Sequence, residues 1–245
     1  MLEIMVNDPK RMELEKQSIF LFGEPKIGKS TWASQRPNTF FCFTEPRIGK
    51  IKCDYISVKD FNDVEEFLKM LEKKQIDPEK YNTIVIDTID NFIHHIFQEV
   101  CKKYGVSYVG DVPHGKGWDR VKTRIREQIL RIFATDLTPI FISHQRVMEI
   151  NFQGRDISKI VPTINNQGRE MVLPLVSIIA HMFVEPYIEG GQRKFRRVIN
   201  CAATPDTEAG DATGIFNAKV ICEPEESCYN NFVEAWNSRI GVRNE

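Results

Sequence analysis

Residues 23–30 read Gly-Glu-Pro-Lys-Ile-Gly-Lys-Ser, a complete G-x-x-x-x-G-K-[ST] motif, and no other stretch constrains the fold as strongly. It follows Ser18-Ile19-Phe20-Leu21-Phe22, an apolar run that reads as a buried strand, and precedes Thr31-Trp32-Ala33, which continues as a helix. A strand, a glycine-bounded loop and a helix start aim backbone N–H groups at one point, where a chain of phosphates is cradled. Gly23, Glu24, Pro25, Lys26, Ile27, Gly28 and Thr31 frame that cradle, Lys29 reaches the β- and γ-phosphates, and the Ser30 hydroxyl ligates Mg²⁺. A chance match on a turn rich in Gly and Lys would lack the flanking strand and helix. The motif predicts a nucleoside triphosphate ligand held with Mg²⁺.

A chain of 245 residues with 42% apolar residues can fill a large α/β core and is not intrinsically disordered. Its net charge of −1 carries no global basic signature, so nucleic-acid binding would rest on a local patch or on assembly into a homo-oligomer. The six cysteines form no C-x-x-C pair and no zinc spacing with histidine, and they read as reduced, packed thiols. The first residues lack the basic start and apolar run of a signal peptide, and no apolar stretch approaches the roughly 20 residues that span a bilayer. A cytoplasmic protein with no membrane contact is expected.

Strand and helix patterns then alternate. Thr39–Phe43, Thr83–Asp87 and Pro139–Ser143 are short buried strands, with a weaker candidate at 54–58. Helical spacing marks 61–73, 89–104 and 117–134, and 105–116 reads as a polar loop. Such alternation implies a mostly parallel sheet flanked by helices. Beyond it, 147–164 reads as a hairpin or mobile loop and 167–176 as a helix. Residues 177–189 and 192–202 read as an antiparallel β-hairpin about Gly190-Gly191. The expected organisation is one α/β domain over residues 1–245, with a core at about 17–215 and a C-terminal helix at about 228–240.

Three strand ends carry the candidate chemistry. Asp87, after four apolar or β-branched residues, is either the end of a Walker B strand beside the phosphate loop, its carboxylate orienting the Mg²⁺ shell, or a structural cap. Glu45 follows the strand 39–43, at the carboxyl edge where open α/β sheets bind ligands. It is either a base that orients water toward the γ-phosphate or a solvated loop glutamate beside Pro46. His144-Gln145 ends the strand 139–143 and is either a sensor of the γ-phosphate or an ordinary turn. His94-His95 lies on a helix without further ligands at metal spacing and reads as packing or exposure.

In this order, Gly23–Ser30, Glu45, Asp87 and His144-Gln145 resemble the RecA-like P-loop ATPase core over roughly residues 17–215. The likeness extends to the small ATP-binding recombination and single-strand annealing proteins of phages and prophages. The resemblance implies a RecA-like fold, an ATPase activity stimulated by DNA, and a role in recombination, replication or repair. It makes Lys29 and Glu45 the catalytic pair, Ser30 and Asp87 the metal ligands, and His144 and Gln145 the sensor. His144 stands where recombinases usually carry Asn. It assigns DNA contacts to the loop 146–166, with Arg146, Phe152, Arg155 and Lys159, and a first DNA loop to 105–116. Single-stranded DNA and phage recombination or replication proteins are the implied partners. Arg196 and Arg197, on the later hairpin, are either arginine-finger candidates or solvated strand residues. A P-loop kinase for a small acceptor and a nucleotide-dependent interaction module are the alternative readings.

Overall fold

β1 (Ile19–Gly23) is buried along its whole length because its side chains alternate between two apolar layers. Phe20 and Phe22 face one layer, and Ile19 and Leu21 face the other. The computed structural model describes residues 12–46, 49–152, 154–216 and 219–242. Around β1 the sheet runs, in spatial order, β3 (Asp54–Ser57), β2 (Thr39–Phe43), β4 (Thr83–Asp87), β5 (Thr138–Phe152), β1 and β7 (Ile178–Glu189). These six strands are parallel to their neighbours. β8 (Gln192–Asn200) and β10 (Lys219–Ile221) extend the sheet antiparallel beyond β7. Two shorter partners lie off this path: β6 (Arg155–Pro162) pairs with the far half of β5, and β9 (Gly210–Asp211) with the start of β7.

The layer under Phe20 and Phe22 is filled by α2 (Phe61–Glu72), α3 (Ile89–Tyr104), α4 (Lys116–Phe133) and α5 (Asn166–Val172). Each presents an apolar stripe at helical spacing, for example Val64, Phe67, Leu68 and Leu71 on α2. Asp60 caps α2 by accepting from the Asn62 and Asp63 N–H groups, and Gly105, in the left-handed region at φ 66°, ends α3. The opposite layer belongs to α1 (Lys29–Ser34) and α6 (Cys228–Val242). There Trp32 meets Tyr229 and Phe232 edge-on, and Phe232 packs on Phe216 at 4.4 Å. The fold is RecA-like: a mostly parallel sheet between helices, with antiparallel strands on its C-terminal side.

Several expectations are resolved or corrected by this architecture. The Asp87 strand does end beside the phosphate loop, where its carboxylate meets Ser30, although β5 runs between β1 and β4 in the sheet. Of the two readings of 147–164, the hairpin is the one formed: β5 continues past the sheet and pairs with β6 from Gln145–Pro162 out to Phe152–Arg155. The segment 105–116 contains two 3₁₀ turns anchored by buried Val109 and Val112. Pro174 ends α5 early and leaves a 3₁₀ turn at Leu173–Leu175. Cys222 and Cys228 are joined as a disulfide, where the chain reverses between β10 and α6 and brings two buried side chains together. Cys42, Cys53, Cys101 and Cys201 are free. No helix among the described residues is long and apolar enough to cross a membrane.

Phe232 locks α6 over α1, so Phe232→Ala is expected to cost about 3–5 kcal/mol in urea unfolding. A change below about 1 kcal/mol would mean that α6 is loosely docked.

Candidate phosphate-binding site

The two glycines of the phosphate loop are required for different reasons. A Cβ on Gly23 would lie 2.2 Å from the Met182 carbonyl oxygen, so β7 can pack against β1 only if position 23 has no side chain. Gly28, at φ 107° and ψ 16°, holds the left-handed turn that starts α1. Between them Glu24, Pro25 and Lys26 are exposed, and Ile27 is buried against the α1–α6 layer.

Lys29 is 5% exposed and has no ion pair with a described residue; its Nζ donates to the Gly23 carbonyl at 3.0 Å and the Glu24 carbonyl at 2.7 Å. Burial lowers its pKa to about 8, against the opposing pull of Asp87, Asp90, Glu45 and Glu24. The Ser30 hydroxyl donates to Asp87 Oδ2 at 2.5 Å. Burial also raises the pKa of Asp87, with the Ser30 hydrogen bond acting the other way. A hydroxyl and a carboxylate oxygen in contact are hard donors of the kind Mg²⁺ takes when phosphates complete its shell, so the residues present fit that ion.

Glu45 stands at the end of β2, half-buried, and its Oε1 meets two partners. Thr88 Oγ1 donates to it at 3.2 Å, and His144 Nε2 lies 3.2 Å away. Thr44 fixes this corner: its hydroxyl donates to the Thr88 carbonyl at 2.7 Å and accepts from the Thr88 N–H at 2.9 Å. Together Lys26, Lys29, Ser30, Thr31, Glu45, Asp87 and His144 help line a cavity of about 500 Å³, within the range of small-molecule sites.

Gln145 is turned away from that cavity. Its Oε1 lies 2.7 Å from His181 Nε2 on β7, so this bond spans the phosphate-loop strand that separates β5 from β7. The His181 ring is stacked between Phe22 and Phe183 at 4.8 and 4.9 Å, and burial lowers its pKa to about 4. It is therefore neutral at pH 7 and donates through Nε2.

The β5–β6 ladder sorts its charges. Arg146, Met148 and Ile150 share a face with Val161, Lys159 and Ile157, and the register places position 155 on that same face opposite position 152. Glu149 and Asp156 project from the other face, where they bond Ser158 and Asn151. Arg146, Arg155 and Lys159 make no ion pair with a described residue, and Arg146 and Arg155 are exposed. Arg196 is instead held by Glu185 at 2.8 Å and lies over Tyr187. His94 and His95 both approach Gln98 on α3. The sequence offered no signal for His181 and only weak ones for Thr44, beside Glu45, and Asp90, three residues beyond Asp87.

The fold and this arrangement of loop, lysine, serine and carboxylate define a P-loop protein with a RecA-like core. A profile of the AAA domain family matches residues 15–213, and the chain belongs to that family. Over 134 residues it is 26% identical to YorG, an SPbeta prophage-derived uncharacterized protein of Bacillus subtilis strain 168. That stretch is 54% of this chain and 42% of YorG, so the match spans less than half of that relative. The KaiC-like protein PH0186 of Pyrococcus horikoshii OT3 superposes with a TM-score of 0.45 at 12% identity, over 84% of this chain and 85% of that one.

The His181 pKa gives a pH prediction with a definite sign. The folded state keeps the ring neutral down to about pH 4, whereas an unfolded histidine takes a proton near 6.5. Acidification therefore favours unfolding through this group, by about 3 kcal/mol between pH 7 and 4. The stability of His181→Phe relative to wild type is expected to rise by that amount over this interval in urea titrations. A pH-independent difference would contradict the neutral, buried state.

Proposed function

We propose that this chain is a Mg²⁺-dependent ATPase that acts on single-stranded DNA in phage-type recombination, replication or repair. One observation carries the reading: Glu45 and His144 face Ser30 and Asp87 in one cavity, and His144 lies on the strand that continues directly into the cationic hairpin. Lys29 and the loop amides would hold the phosphates, and Ser30 and Asp87 would hold Mg²⁺, which neutralises phosphate charge when bound. Glu45 would orient a water and take its proton as the oxygen attacks the γ-phosphorus and ADP leaves. His144, hydrogen-bonded to Glu45, reports that chemistry to the hairpin, whose Arg146, Lys159 and Arg155 would contact the DNA backbone and whose Phe152 would stack on a base. The prophage origin of YorG supports the phage setting.

The test is ATP hydrolysis with Mg²⁺, with and without single-stranded DNA, for wild type, Lys29→Ala and Glu45→Gln. DNA-stimulated turnover is expected in wild type, with a loss of about 10²–10⁴-fold in Glu45→Gln and nucleotide binding retained. Lys29→Ala should lose both binding and turnover. Turnover indifferent to DNA would sink the proposed substrate, and phosphate transfer to a nucleoside would favour a kinase.

The hairpin has its own test. Arg155→Glu and Lys159→Glu are each expected to weaken oligonucleotide binding regardless of sequence, and to reduce the salt slope by about 0.7 or more. An unchanged slope would remove the hairpin from the interface.

A further inference from the structure

The β5–β6 excursion leaves the sheet after His144 and closes at Thr163, and a single carboxylate oxygen holds both ends. Asp90 Oδ1 accepts from the Ser143 hydroxyl at 3.1 Å and from the Thr163 hydroxyl at 2.6 Å. Between the same two segments, the Thr163 N–H donates to the His144 carbonyl at 2.9 Å. Asp90 lies in the first turn of α3, three residues beyond Asp87 and two beyond Thr88, the residue that donates to Glu45. One short stretch of backbone thus carries the metal-side carboxylate, a partner of Glu45 and the fastening of the hairpin.

This carboxylate is a poor choice for stability alone. Its second oxygen, Oδ2, is buried with no hydrogen-bond partner among the described residues, and burial raises the pKa of the group. A buried acid with half its acceptors unused destabilises a core relative to an apolar side chain of similar volume. The hairpin does not need it to form either, since the β5–β6 ladder runs eight residue pairs on its own. What Asp90 adds is the connection between that ladder and α3.

We propose that Asp90 is a positioning residue that fastens the base of the β5–β6 hairpin to the first turn of α3, so that nucleotide bound at Ser30 and Asp87 alters the hairpin. The coupling rests on the reading of this site as a nucleotide site, but not on hydrolysis. Asp90 touches no phosphate in this scheme. It fixes where Ser143 and Thr163 stand relative to Asp87, because one oxygen accepts from both hydroxyls.

The experiment is hydrogen exchange across residues 146–161, with and without a non-hydrolysable ATP analogue and Mg²⁺, together with analogue affinity, kcat and KM. Wild type, Asp90→Ala, Asp90→Asn, Thr163→Val and the Asp90→Ala/Thr163→Val double variant are compared. Wild-type hairpin amides are expected to change exchange at least threefold on analogue binding. Asp90→Ala and Thr163→Val should lose most of that response while analogue affinity stays within about twofold of wild type. Asp90→Asn retains the Oδ1 acceptor and should restore at least half of it. The double variant should respond no less than Asp90→Ala, because both changes cut one link. Should Asp90→Ala fail to fold, Thr163→Val and Asp90→Asn still decide the matter.

A wild-type hairpin indifferent to bound analogue would overturn the proposal, as would a full response in Asp90→Ala or Thr163→Val. Loss of analogue affinity in step with the loss of response would also overturn it, by making Asp90 part of the binding site. Failure of wild type to hydrolyse ATP, with exchange still coupled to the analogue, would sink the ATPase reading and leave this one standing. Failure to bind the analogue at all would sink both.

Discussion

The approach of the Ser30 hydroxyl to the Asp87 carboxylate, at 2.5 Å, is the constraint on which the rest of the molecule depends. Their parent strands are two positions apart in the sheet, with β5 between them, a separation of about 10 Å at ordinary strand spacing. The loop after β1 must therefore lean across the end of β5 to bring α1 over to β4. That makes β5 the floor of the cavity and brings His144 into its lining. It also explains why the strand ends there are so closely buttressed. Thr44 hydrogen-bonds both backbone groups of Thr88, and the Thr44 N–H donates to the Asp87 carbonyl, so β2 and β4 end as one unit. A shift of one residue in any of these registers would carry Asp87, Glu45 or His144 to the opposite face of the sheet.

Much of this was legible in the residues. Apolar runs such as Phe20–Phe22 and Thr83–Ile86 mark strands buried on both faces, and they mark them because parallel strands between helices have no polar side to show. Helices with a wide apolar stripe were equally plain, since Val121, Ile125, Ile129 and Ile132 recur at the helical period on α4. The motif of Gly28, Lys29 and Ser30 is legible because the turn and the contacts of these residues are local. Gly23 was read from the same motif, but its structural necessity arises from Met182, far along the chain, and no local pattern reveals that.

What sequence could not show was spatial order. Nothing in Thr83–Asp87 says that another strand will be inserted between it and β1, because strand order is set by crossovers and not by strand composition. The hairpin was ambiguous for a related reason. Its charges and apolar residues are scattered along the chain, and only the cross-strand register separates Arg146 and Lys159 from Glu149 and Asp156. His181 gave no sign because its partners, Phe22, Gln145 and Phe183, are assembled from three strands. Cys222 and Cys228 were read as independent thiols because their spacing matches no familiar pair, yet the reversal before α6 brings them together.

The two strands that flank β1 are both longer than it is, and this has a mechanical consequence. β1 stops at Gly23, level with His144 and Met182, while β5 runs on to Phe152 and β7 to Glu189. Each overhang is an arm whose inner end rests beside the phosphate loop, and the Gln145–His181 bond is a crossbar between the two arms close to their fulcrum. Eight residues of extended chain reach about 26 Å, so a tilt of about 5° at the base moves the far end of β5 by about 2 Å. Any rigid tilt at the level of Gly23 would therefore be largest at the two tips and smallest beside the loop.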